Sequence, residues 1–78
     1  MGKKLIKIGQ LAKEVGVLPS TINFYTREGL LPEADRSQGG YRMYEEADAV
    51  RIIKQIQVWQ ETKRLTIAEI KAKLKASR

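Results

Sequence analysis

Between Ile8 and Gly29 the chain reads "IGQLAKEVGVLPSTINFYTREG", two short apolar-periodic stretches with three residues between them. Ile8, Leu11, Ala12 and Val15 recur with the 3.6-residue rhythm of a helix. Gly16 follows the last periodic residue, where a glycine stops a helix. Lys7 stands where a capping Ser or Thr is preferred, so the start of this helix is weakly marked. Pro19 opens the second stretch, its fixed φ already helical and its missing N–H no loss in the first turn. Ile22 shares a face with Tyr25 or Thr26, and Gly29 ends the segment before the apolar exit Leu30-Leu31-Pro32. Two short helices joined this closely around a glycine match the helix-turn-helix pattern.

The next residues change character. In "EADRSQGGYRMY" two short extended arms, Ala34–Arg36 and Tyr41–Tyr44, flank a turn at Gln38-Gly39-Gly40, where glycine tolerates the positive φ of hairpin turns. A third helix is predicted over "EEADAVRIIKQIQVWQETK", with Ala49, Ile52, Ile53, Ile56 and Trp59 as its apolar stripe. Glu45, Glu46 and Asp48 sit near its positive end. The last helix opens at Thr66, which forms a Ser/Thr-x-x-Glu capping box with Glu69. Ile67, Ile70 and Leu74 make its buried face, with Lys71, Lys73, Lys75 and Arg78 outward or terminal. A hairpin directly after the second helix gives a winged version of the motif. The predicted fold is mainly α, a four-helix winged helix-turn-helix with a small β-hairpin wing.

Composition narrows the function. Neither cysteine nor histidine occurs among the 78 residues, which removes disulfides, Cys/His metal sites, thiol nucleophiles and histidine acid–base catalysis. Most carboxylates fall at helical spacings beside Lys or Arg and read as solvated faces. No enzyme, cofactor or metal site is expected. The chain carries 15 Lys and Arg against 9 Asp and Glu, and the net charge of +6 suits a polyanionic partner. No apolar run approaches the ~18–20 residues of a membrane span. The start "MGKKLIKIGQ" is too short in its apolar part for a signal peptide, and Gly2 lacks the Ser or Thr of a myristoylation signal. The expectation is a cytoplasmic chain with no membrane role.

Two segments can meet a polyanion. In a helix-turn-helix the second helix enters the major groove of DNA, and its outward candidates here are Ser20, Thr21, Asn23, Phe24 and Arg27. The same residues also fit an ordinary amphipathic helix packed on its neighbour. In the hairpin, a turn requires Gly39-Gly40 but not the Arg36, Gln38, Tyr41 and Arg42 around them. Arginine forks, tyrosine hydroxyls and exposed backbone N–H groups all donate to phosphate oxygens. Tyr44, next to the third helix, reads instead as a core anchor, and Trp59 as core rather than a base-stacking platform.

Several motifs then occur in order: I-G-x-L-A, G-V, T-I-x-x-Y, G-L-L-P and R-x-x-G-G-Y-R-x-Y. Together they resemble the DNA-binding domain of the MerR family of bacterial transcription regulators, from about Ile6 to Ile56 and again at "TIAEIK". The resemblance implies a recognition helix in the major groove and a wing on the phosphate backbone. It assigns Thr21 and Tyr25 to the recognition helix, and Arg36, Gly40, Tyr41 and Arg42 to the wing. Full-length relatives bind promoters as dimers and act by distorting the spacer, which has its energetic basis in DNA deformability.

The chain departs from the family pattern in four places. Asn23-Phe24-Tyr25-Thr26 stands where relatives often have Arg-Tyr-Tyr-Glu, which removes a cation and a hydroxyl from the recognition helix. Leu18-Pro19 replaces a Ser-containing start, and "WQETKRL" replaces a shorter Gly-aromatic turn. No long dimerisation helix follows Arg78, so the chain is expected to be monomeric where a full-length relative is a homodimer.

These readings amount to one domain over residues 1–78, with the helix-turn-helix at 6–28, the wing at 33–44 and two further helices at 45–78. The expected function is sequence-specific binding of double-stranded promoter or operator DNA in the bacterial nucleoid. Two alternatives stay open at this point: an excisionase-like DNA-bending factor, and a protein-interaction module with an acidic partner.

Overall fold

The computed structural model describes residues 4–76. Strand β1 (Leu5–Lys7) runs directly into α1 (Ile8–Val15), and α2 (Pro19–Arg27) follows. The wing strands β2 (Asp35–Arg36) and β3 (Arg42–Glu45) lead into α3 (Glu46–Val58). A π-helical turn (Trp59–Lys63) then joins α3 to α4 (Ile67–Ala76). Gly2 and Arg78, on which expectations were placed, lie outside the described residues. Among the described residues no helix is long and apolar enough to cross a membrane.

Local chemistry explains the helix limits. Gly16 adopts the left-handed conformation at φ 75°, and its N–H and that of Val17 both bond Ala12 O. The end of α2 repeats the device: Gly29, at φ 78°, donates to Thr26 O while Leu30 N–H reaches back to Tyr25 O at 2.9 Å. That closure turns Leu30 and Leu31 into the core, where both are buried. The Glu45 carboxylate caps α3 by accepting from Asp48 N–H. At α4, Thr66 N–H donates to Glu69 Oε1 at 3.0 Å and Glu69 N–H to Thr66 Oγ1 at 3.2 Å, the predicted capping box.

The expected hairpin is present with a further strand beside it, and the third α-helix is shorter than expected. The hairpin belongs to a three-stranded antiparallel sheet of order β1-β3-β2, with Ile6 opposite Tyr44 and Arg36 opposite Arg42. Leu5, Ile6 and Lys7 alternate exposed, buried, exposed, and Ile6 with Tyr44 turns the inner face of the sheet onto the helices. The third helix is α-helical only to Val58 and then widens into the π turn. There the Thr62 hydroxyl donates to Val58 O, competing with the helical ladder. Arg64 ends the turn in the left-handed conformation at φ 49°.

The core lies where α1, α2, α3, α4 and the inner face of the sheet meet. Leu11, Ile22, Leu30, Leu31, Tyr44, Ile53, Ile56 and Ile70 have essentially no exposed surface. Each such large apolar side chain contributes about 1.5–3 kcal/mol through its removal from water. Ala49, Ile52, Ile53 and Ile56 form the buried stripe of α3, and Trp59 packs against it half-buried. On α4, Ile70 and Leu74 are buried, Ile67 half-buried, and Lys71, Lys73 and Lys75 exposed. The Lys71 side chain lies over Gly29, so α4 leans on the end of α2.

Candidate nucleic-acid interface

On α2 the positions Ser20, Asn23, Phe24 and Arg27 are all exposed, while Ile22 and Tyr25 are buried on the opposite side. Their spacing of three and four residues makes them one continuous outward face. Thr21 is half-buried at the edge of that face. Tyr25 departs from its assignment as a contact residue. It is only 5% exposed, and burial pushes its phenol above the ordinary tyrosine range. Packed among Ile22 and the core, with its ring 6.0 Å from that of Phe24, it orients the helix from behind.

The wing projects beside this face. Its turn is closed by Gly40 N–H donating to Ser37 O at 2.9 Å and Ser37 N–H to Tyr41 O at 2.8 Å. Gly40 sits at φ 82°, a region that favours glycine. Gly39 has a different task. A Cβ there would lie 2.9 Å from Tyr41 Cε2, so the glycine leaves room for the ring to lie along the turn. Arg36, Gln38, Gly40 and Tyr41 are exposed, Tyr41 to 64%.

Arg42 is partly buried and turned toward α2. Its Nη1 donates to Asn23 Oδ1 at 2.6 Å, and its Nε lies 3.0 Å from Glu33 Oε2. Glu33 Oε1 meanwhile accepts from Arg36 Nε at 3.1 Å. One carboxylate therefore bridges the two wing arginines. Its Oε2 is closed off from solvent and meets Arg42 as an ion pair without hydrogen-bond alignment. Exposed ion pairs contribute only about 0–1 kcal/mol, so this cluster acts mainly by orienting its members. A guanidinium has five N–H donors, and the remaining ones of Arg42 stay free of these two contacts.

A groove of about 280 Å³ separates the wing from the helices, lined by Ile8, Asn23, Arg36, Gly40, Tyr41 and Arg42. Ile8 and Tyr41 also line a neighbouring hollow of about 370 Å³ with Lys7, Gly9 and Gln10. The start of α1 thus joins the same surface, although sequence reasoning did not place it there. Glu33 was missed as well, and its only local signal is its position three residues before Arg36. Tyr44 follows expectation: it is fully buried, with its hydroxyl 2.8 Å from Thr26 Oγ1. Among the described residues no group of three or more His, Cys, Asp or Glu is placed to hold a metal ion.

Known proteins resemble this chain in sequence and in fold. The mercuric resistance operon regulatory protein of Bacillus cereus is 45% identical over 53 residues, covering 65% of this chain and 40% of that protein. Its counterpart from Serratia marcescens is 51% identical over 47 residues, 60% of this chain and 33% of the relative. The chain thus spans two fifths or less of the length of these regulators. In fold it resembles HiNmlR, a MerR family regulator lacking the sensor domain and solved bound to promoter DNA. The TM-score is 0.79 at 23% identity, covering 95% of this chain and 57% of that one. These matches are to transcription regulators, and they favour that reading over an excisionase-like factor or a protein-interaction module. The family model for MerR helix-turn-helix regulatory proteins matches residues 6–77, and the chain belongs to that family.

Proposed function

We propose that this chain is the DNA-binding domain of a MerR-type transcription regulator that recognises double-stranded promoter or operator DNA. In this reading α2 enters the major groove through Ser20, Thr21, Asn23, Phe24 and Arg27. The wing holds the phosphate backbone through Arg36, Gln38, Gly40, Tyr41 and Arg42. Residues 6–28 form the helix-turn-helix, 33–44 the wing, and α3 and α4 are the two further helices of a single domain. Binding is non-catalytic and takes place at the nucleoid in the bacterial cytoplasm. The chain alone acts as a monomer, and the full-length regulator as a homodimer.

The observation that carries this reading is the Arg42–Asn23 hydrogen bond. It ties the wing to the exposed face of α2, so that both present to one duplex as a unit. The net charge of +6 adds long-range attraction to the same partner.

Fluorescence anisotropy with labelled duplex DNA over a salt series tests it. The logarithm of affinity should fall linearly with the logarithm of salt, with a slope of about 0.9 per phosphate neutralised. Amide resonances of residues 20–28 and 36–43 should shift on duplex DNA. An affinity indifferent to salt, or shifts confined to α3 and α4, would overturn the assignment.

A further inference from the structure

Asn23 lies on the exposed face of α2, and its amide is already engaged. Arg42 Nη1 approaches one of its terminal atoms at 2.6 Å. A guanidinium has donors only, so the atom facing it must be the amide oxygen. This settles the orientation of the amide: Oδ1 is turned to the wing, and the Nδ2 amino group is left as the free end. Glu33 anchors Arg42 from the other side, with Oε2 3.0 Å from Nε, which keeps the guanidinium over Asn23.

We infer that Asn23 reads DNA as a donor, favouring bases that offer acceptors in the major groove. The inference rests on the proposed DNA-binding function and names the specificity of that site. An asparagine with a free amide pairs bidentately with adenine, accepting from N6 and donating to N7. Here the oxygen already carries a cation, and a second N–H brought to it meets the field of the guanidinium. Hydrogen bonding to the cation also polarises the amide and strengthens the Nδ2 donors. Guanine, with N7 and O6 as acceptors, and thymine, with O4, match such a group better than adenine, whose N7 acceptor comes with an N6 donor aimed at the engaged oxygen. Arg42 is then a positioning residue for base readout, and Glu33 positions Arg42.

Selection from a randomised duplex library at low salt tests the inference, using the chain and two variants. The base position read by residue 23 is the one whose preference changes in Asn23→Asp. The chain itself should select G or T there. Asn23→Asp offers only acceptors and should move the preference to C, the base whose N4 amino group donates. Arg42→Met frees Oδ1 and should raise acceptance of A at that position by about fivefold. A ¹H–¹⁵N fingerprint of Arg42→Met confirms that it folds, and the Asn23 side-chain amide signals should move in the free protein. Selection of A by the unaltered chain, a base preference unaffected by Arg42→Met, or no position that responds to Asn23→Asp would overturn the inference while leaving DNA binding intact. Failure to bind any duplex at low salt would instead overturn the proposed function, and this inference with it.

Discussion

The Tyr44 hydroxyl lies 2.8 Å from Thr26 Oγ1 and joins the base of the wing to α2 from beneath. Thr26 spends its single hydroxyl proton on Ile22 O, 2.9 Å away, so Tyr44 must be the donor. Strand β3 is thereby held to the last turn of α2 on the core side, while Arg42 and Asn23 make the matching contact on the outer side.

This pairing gives the first prediction. Tyr44→Phe keeps the buried ring and loses one hydrogen bond, which should cost about 1 kcal/mol. For a domain this small that lowers Tm by about 4–8 °C. Tyr44→Ala removes the ring as well and should cost about 3–5 kcal/mol. Thermal denaturation followed by circular dichroism separates the two, and a Tyr44→Phe protein as unstable as Tyr44→Ala would contradict the assignment of the ring to the core.

The two wing glycines should respond differently to alanine. Gly40→Ala places a side chain at φ 82° and should cost about 1–2 kcal/mol in backbone strain. Gly39→Ala meets no such strain, but its Cβ would lie 2.9 Å from the Tyr41 ring. That ring is exposed and free to swing away, so stability should hold within about 0.5 kcal/mol. The displaced Tyr41 should show altered ring resonances and weaker duplex binding. Equal losses of stability in both variants would refute this division of labour.

Arg64 offers a stabilising change. It sits at φ 49° after the π turn, a conformation that disfavours side chains by about 1–2 kcal/mol. Glycine removes that strain but adds about 0.5–1 kcal/mol of chain entropy to be lost on folding. Arg64→Gly should therefore stabilise the domain by about 0.5–1 kcal/mol, read as a rise in urea midpoint at constant m-value.

Two glutamates should titrate on opposite sides of the ordinary range. The Thr66 backbone N–H, with the Thr66 side chain and Lys73 helping, holds the Glu69 carboxyl below it. Its folded value is depressed, so its contribution to stability is present above the unfolded value near 4.5 and fades as pH falls through the folded one. Glu14 behaves inversely. A hydrogen bond shared with Glu46, partial desolvation and repulsion from the same carboxylate raise it, against the opposing pull of Lys4 and Gln10. Its contribution is full below the unfolded value and is lost as pH rises through the folded one. Carboxyl ¹³C titration reads both, and Glu46→Gln should return Glu14 toward the ordinary range while leaving Glu69 unmoved.

The residues by themselves determined the four helices, the glycine stops of the first two, the capping box of the last and the wing turn, but not the change to a π turn after Val58. These features rest on local interactions: i→i+4 ladders, glycines at left-handed stops, a Thr-x-x-Glu box, and apolar residues every three or four positions. Each is complete within a few residues, so it can be read without knowing what lies opposite. The outward set on α2 followed from the same periodicity, and the core role of Tyr44 from its place beside the third helix. Only the tertiary structure decided that "LIK" before α1 is a strand, because its partner, Met43–Glu45, lies nearly forty residues away. It also turned Tyr25 inward, where neighbours from the other helices and the sheet outweigh its position in a motif. The Arg42–Asn23 contact spans 19 residues, and Glu33 serves both wing arginines only because the hairpin folds them onto it. Side-chain hydrogen bonds of this kind depend on which surfaces the packed core brings within about 3 Å, and no spacing along the chain encodes that distance.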